Sequence, residues 1–144
     1  MGERRKSRVI ALQMLFSADL GKLEYIDLKK DFLEELDEEP KVKAFAFELV
    51  KGTIENLKEI DDAIKNRIKN WDFDRLANVD KNILRFAAYE LLFRDDIPVP
   101  VTINEAIEIA KSFSGPEAGK FINGILDNIK KDIKIKKEEY RNGA

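Results

Sequence analysis

Apolar residues recur at intervals of three and four along almost the whole chain, and no segment alternates with a period of two for long enough to make a strand. Prolines at 40, 98, 100 and 116 cut this pattern into pieces of helix length. Each piece has an apolar stripe that must be buried against other helices, so the expected fold class is all-α.

The pieces can be placed one by one. Over residues 5–20, Val9, Ile10, Leu12, Met14, Leu15 and Phe16 cover most of the helix circumference and leave Lys6, Gln13 and Ser17 as a narrow polar stripe. Gly21 is placed to stop that helix, and an acidic one carrying Leu28, Phe32, Leu33 and Leu36 is expected to run to Pro40. Val42, Ala46, Leu49, Thr53, Leu57, Ile60, Ile64 and Ile68 form one seam over residues 41–69, with Gly52 as the expected bend. The pattern loosens around Trp71, and Val79, Ile83, Phe86, Ala87 and Leu91 then define a helix to about Arg94. Residues 95–100 must turn. Thr102 and Glu105 have the spacing of a capping box, which predicts a helix start at Thr102 and an end near Phe113. After Ser114, Gly115 and Pro116, a last helix carries Phe121, Ile122, Ile125, Leu126, Ile129 and Ile133 into a basic tail, with Gly124 placed for close helix packing. The whole is expected to be one domain over residues 1–144, six or seven helices in two small packed bundles of about 1–70 and 71–144.

Much chemistry is excluded by what the chain lacks. There is no cysteine and no histidine in its 144 residues. That removes disulfides, thiolate nucleophiles, Cys- or His-based metal sites and the commonest general base near neutral pH. No phosphate loop, dinucleotide fingerprint or nucleophile elbow occurs. Adjacent carboxylates such as Asp61/Asp62 and Asp95/Asp96 diverge on a helix and read as solvated surface. No catalytic residue, metal or cofactor is expected. No apolar run approaches the roughly 20 residues needed to span a bilayer, and no cleavable leader is visible, so a cytoplasmic protein is expected.

The net charge of −2 hides a strong asymmetry. Residues 1–8 set Arg4, Arg5, Lys6 and Arg8 against Glu3 alone. Residues 130–144 carry six cations against three acids, so each end nets +3 and the body between is left at −8. Basic ends serve solubility or an anionic partner. Near the second of them, Phe121 beside Lys120 is a candidate platform on which a nucleic-acid base can stack, with burial in the core as the alternative.

Several segments, in order, resemble the NusB transcription antitermination factor family. They are Arg4-Arg5-Lys6-Ser7-Arg8 running into Ala11-Leu12-Gln13-Met14-Leu15, then Leu49-Val50-Lys51-Gly52, Trp71, and Asp80-Lys81-Asn82-Ile83-Leu84-Arg85. Ala88-Tyr89-Glu90-Leu91, Ile103-Asn104-Glu105-Ala106, Ala110-Lys111-Ser112-Phe113 and residues 120–127 continue the match. The resemblance implies an all-helical protein that binds boxA RNA together with NusE, a small-subunit ribosomal protein. It further implies work with the transcribing RNA polymerase and other Nus factors in antitermination of ribosomal RNA operons. By position, the RNA-binding residues it implies are Arg4, Arg5, Lys6, Arg8, Glu117, Lys120 and Phe121. The NusE-binding residues it implies are Phe16, Asp74 and Asp80. Family members often carry aspartate at position 117 and tyrosine at position 16, so this chain departs from the pattern at both.

Two expectations follow for variants. Joint replacement of Arg4 and Arg8 by alanine should weaken RNA binding without unfolding the helix, and Asp80→Lys should weaken NusE binding while sparing RNA binding by the free protein. The alternatives are a helical scaffold that binds only protein, and the accessory domain of an RNA methyltransferase, for which the chain has no cofactor-binding unit. A homodimer of the free protein, hiding the basic face, is left open.

Overall fold

The computed structural model describes residues 2–19, 32–68 and 72–143, with side chains as far as Ile133. Gly21, Leu28 and Trp71 lie outside the described residues. The described elements are α1 (Glu3–Asp19), α2 (Pro40–Glu55), α3 (Leu57–Lys65), a 3-10 turn (Phe73–Arg75), α4 (Asn78–Phe93), α5 (Val99–Ser114) and α6 (Pro116–Gly143), with no strand among them.

α4 is the axis of the structure. Every residue from Lys81 to Ala88 is buried, and the helix packs against α1, α2, α3, α5 and α6. The most extensive pairing is α5 with α6, followed by α1 with α2. Leu12, Met14, Leu49, Ile60, Ile64, Ile83, Leu84, Phe86, Ile109 and Ile122 are the largest apolar side chains wholly inside, and they belong to one continuous core.

Several helix boundaries differ from the sequence expectation, each for a physical reason. The acidic helix does not reach Pro40: after Phe32 and Leu33 the chain turns at Glu34 and Glu35 and stays irregular. Like charges at positions 34, 35, 37, 38 and 39 repel at helical spacing, and Glu39, preceding a proline, is extended with ψ 144°. The break in the long seam falls at Asn56 (φ −117°, ψ 23°), whose side chain donates to the Gly52 carbonyl at 2.8 Å, and not at Gly52 itself. Gly52 is mid-helix against the Tyr89 ring, and a β-carbon there would lie 2.0 Å from Tyr89 Cζ.

α5 begins three residues before the capping box. Pro98 precedes its first residue and Pro100 sits in its first turn, where a missing amide donor costs no hydrogen bond. Thr102 and Glu105 are thereby freed from capping: Thr102 Oγ1 donates to Glu90 and Glu105 accepts from Arg5. α5 stops at Gly115, whose φ of 92° suits glycine, and Pro116 opens α6. A β-carbon at Gly124 would meet no described atom within 4 Å, so no close packing requires glycine there; on α6 the tight approach is at Gly119, where a β-carbon would lie 3.0 Å from Lys111 Cγ.

Two carboxylates expected at the solvated surface are engaged. Asp61 accepts from Arg85 Nε and Nη2 at 2.9 and 3.0 Å, and Asp96 accepts from Arg94 at 2.9 and 2.8 Å. Burial alone would lower the Arg85 pKa; the hydrogen bonds and charge of Asp61, then of Asp19, reverse this and raise it. Hydrogen bonding to Arg94 lowers Asp96 to about 2.

Candidate nucleic-acid and partner interface

The first turns of α1 put Arg4 in solvent and leave Arg5 and Lys6 partly exposed. The Arg4 guanidinium lies over the Phe45 ring of α2, 3.8 Å from its centroid. Arg5 Nε donates to Glu105 Oε2 at 2.5 Å, with 39% of its side chain still exposed. Among the described residues no carboxylate lies within salt-bridge distance of Arg4 or Lys6. Ser7 Oγ donates to the Val42 carbonyl at 2.8 Å and ties this end of α1 to α2.

Arg8 corrects the sequence expectation. Its side chain is 2% exposed and pairs with Glu90, which is 0% exposed, so it presents no donor to an RNA phosphate. Helical spacing explains why: Arg8 shares a face with Ala11, Leu12 and Leu15, all buried. Glu90 likewise follows Ile83, Phe86 and Ala87 on the buried face of α4. A carboxylate on an apolar face requires a partner, and that signal was present in the sequence.

The second expected patch forms one wall of a groove of about 630 Å³. Glu117, Lys120 and Phe121 come from the start of α6, Asp80 from the first turn of α4, and Arg75 from the 3-10 turn. Lys120 Nζ lies 3.5 Å from Glu117, and both side chains are largely exposed, at 78% and 89%. Phe121 is half-buried, and Leu76, Ala77 and Ala118 add apolar lining to the same groove. One oxygen of Asp80 is buried and accepts no hydrogen bond among the described residues. Asp80, expected on a protein-binding surface, therefore shares a groove with three residues expected on an RNA surface.

Phe16 occupies a neighbouring groove of about 410 Å³ with Leu12, Gln13, Val79 and Phe113. Asp74 is exposed on the 3-10 turn and lines neither groove; its amide donates to Asp72 Oδ1 at 3.0 Å. Phe113 is a residue that sequence reasoning missed as a surface group. Its spacing from Ala106, Ile109 and Ala110 puts it on the core stripe of α5, yet it is 49% exposed at the helix end. It also lines a groove with Arg5 and Val9, so Phe113 is shared by the groove at the basic end of α1 and the groove at Phe16.

Among the described residues no group of three acidic side chains converges as a metal site, and no helix is long and apolar enough to cross a membrane.

Comparison with known proteins places this architecture. Residues 5–131 match the model of the NusB family. The transcription antitermination protein NusB of Geobacter sulfurreducens is 52% identical over 132 residues, covering 90% of this chain and 94% of that protein. The structure of T. maritima NusB superposes with a TM-score of 0.79 at 45% identity, over 89% of this chain and 90% of that one. A crystal structure of antitermination factors NusB and NusE in complex with dsRNA gives a TM-score of 0.82 at 28% identity, over 92% of this chain and 98% of its match. The chain belongs to the NusB family of transcription antitermination factors, which are not enzymes.

Proposed function

We propose that this chain binds boxA RNA jointly with NusE and, in the transcribing RNA polymerase complex with other Nus factors, supports processive transcription of ribosomal RNA operons. The observation that carries this reading is the groove that gathers Asp80, Glu117, Lys120 and Phe121 from two distant helices. The structural neighbour crystallised with NusE and dsRNA supports it.

The division of labour follows from chemistry. Arg4 and Lys6, with the exposed part of Arg5, neutralise phosphates at the end of α1. Phe121 offers an aromatic face to an unstacked base, and Lys120 and Glu117 supply a donor and an acceptor beside it. Asp74, Asp80 and the apolar groove at Phe16 suit a basic ribosomal protein that also has an apolar contact to bury. Few phosphate contacts give modest affinity to the free protein, and a bound NusE raises it by adding RNA-facing surface.

A gel shift with boxA RNA against a scrambled oligonucleotide, with and without NusE, tests the reading. The expected result is preference for boxA that sharpens with NusE. Equal retardation of both oligonucleotides, or none, overturns RNA recognition; NusE binding without RNA binding leaves a protein-only scaffold.

A further inference from the structure

Of the cations at the end of α1, Arg4 has an unusual setting. Its guanidinium is stacked on a ring that is 5% exposed, and no described carboxylate is within salt-bridge distance of it. We propose that Phe45 is the positioning residue for Arg4, holding the guanidinium flat so that its N–H edge is open to take an RNA phosphate in a two-point contact. The proposal rests on the RNA-binding reading above and adds a residue to it.

Stacking and phosphate binding use different parts of a guanidinium. Its face meets the ring, while its five N–H donors lie in the plane and remain available at the edge. A bidentate phosphate contact needs that plane fixed, and a long exposed side chain loses rotamer freedom when it is fixed. The platform is itself held. Ser7 bonds to the Val42 carbonyl one turn before Phe45, and the guanidiniums of Arg8 and Arg94 each lie 5.6 Å from the same ring centroid.

The surrounding acids are already committed. Arg94 takes both oxygens of Asp96 and reaches Glu48 at 3.2 Å. Asp96 is the carboxylate whose charge interacts with Arg4, and Glu48 lines the cavity that Arg4 shares with Phe45. With both bound to Arg94, neither closes onto Arg4. Lys41 plays the same part toward Glu3, at 2.9 Å.

The test is titration of boxA RNA at several salt concentrations with wild type, Arg4→Gln, Arg4→Lys, Phe45→Leu, Phe45→Tyr and the double variant Arg4→Gln/Phe45→Leu. Phe45→Leu should weaken binding about two- to fivefold, the scale of an exposed cation–π contact. It should weaken nothing further once Arg4 is glutamine, and Phe45→Tyr should bind as wild type. Arg4→Lys, which keeps the charge and loses the planar fork, should lose most of what Arg4→Gln loses. Equal losses from Phe45→Leu in both backgrounds, or an Arg4→Lys protein that binds as wild type, overturns the proposal. If Phe45→Leu does not fold, the comparison of Arg4→Lys with Arg4→Gln decides, since Arg4 is exposed. A wild type that ignores boxA overturns the RNA reading itself, whereas boxA binding without the coupling overturns only the role of Phe45.

Discussion

Arg8 donates two hydrogen bonds to Glu90, from Nε at 2.9 Å and from Nη2 at 2.8 Å, inside the contact between α1 and α4. Thr102 of α5 donates a third to the same carboxylate at 2.8 Å, so one buried glutamate joins three helices. Removing the arginine leaves a charge in the core with one neutral donor. Arg8→Met should cost about 3–5 kcal/mol, the scale of a broken buried pair. Adding Glu90→Leu should restore much of the loss, because the uncompensated charge goes with it. Urea denaturation of both variants measures this, and a loss below about 1 kcal/mol for Arg8→Met would contradict it. The joint Arg4 and Arg8 alanine variant, expected from sequence to stay folded, is thus a stability variant as much as a binding one.

A cleaner probe of phosphate contacts is Arg4→Ala with Lys6→Ala, since neither side chain has a carboxylate partner among the described residues. On single-stranded RNA each lost phosphate contact lowers the salt slope of log K by about 0.7, so the pair should flatten it by up to about 1.4. Stability should fall by no more than about 1 kcal/mol, the scale of the lost contact of Arg4 with the Phe45 ring. An unchanged slope measured by fluorescence titration would remove both residues from the RNA surface.

Asp80→Lys should weaken NusE binding by replacing attraction to a basic partner with repulsion. The shared groove changes the other half of the sequence expectation. Because Asp80 lines the same groove as Lys120 and Phe121, the new cation should strengthen RNA binding by the free protein at low salt and steepen its salt slope by about 0.7. Calorimetry with NusE and titration with RNA check the two halves separately; RNA affinity equal to wild type would place Asp80 outside the RNA path.

Gly52→Ala should destabilise the protein by about 1–3 kcal/mol, since the added carbon would lie 2.0 Å from Tyr89 Cζ and the ring must move. Tyr89→Ala in the same chain should relieve the clash while opening a cavity, so the two losses should fall short of adding. Additive losses in chemical denaturation would show that the methyl group is accommodated elsewhere.

Asp96 is held at about 2, below its unfolded value of 3.8, mainly by the hydrogen bonds from Arg94. A carboxyl group depressed in the folded state contributes stability that is full above its unfolded pKa and is lost as pH falls through the folded one. Asp96→Asn should therefore be less stable than wild type above about pH 4, with the difference closing toward pH 2. Denaturation midpoints across that window test it; a gap as large at pH 2 as at pH 5 would assign the effect to packing.

What was legible in the sequence was local. Runs of period three to four fixed α1, α4 and α6 to within a few residues, and Gly115 with Pro116 marked a break that the backbone obeys. What failed depended on distant residues. Thr102 and Glu105 fit a capping box on paper, but Glu90 and Arg5 claim their side chains and two prolines start the helix earlier. Gly52 looked like a bend because its ring partner belongs to another helix. At the site, each residue type was readable and its company was not: only the packing of α4 against α6 brings Asp80 beside Phe121. Arg8 was misplaced for the opposite reason, a charge pattern having outweighed a helical face that was plain in the same residues.

On the proposed reading, NusE and RNA meet in the groove between α4 and α6. Whatever factor NusE at Asp80 adds to the affinity for RNA at Phe121, RNA must add to the affinity for NusE, because the two routes to the ternary complex have the same total free energy. The order of assembly is therefore set by each partner's concentration relative to its affinity for the free protein, and not by the coupling between them.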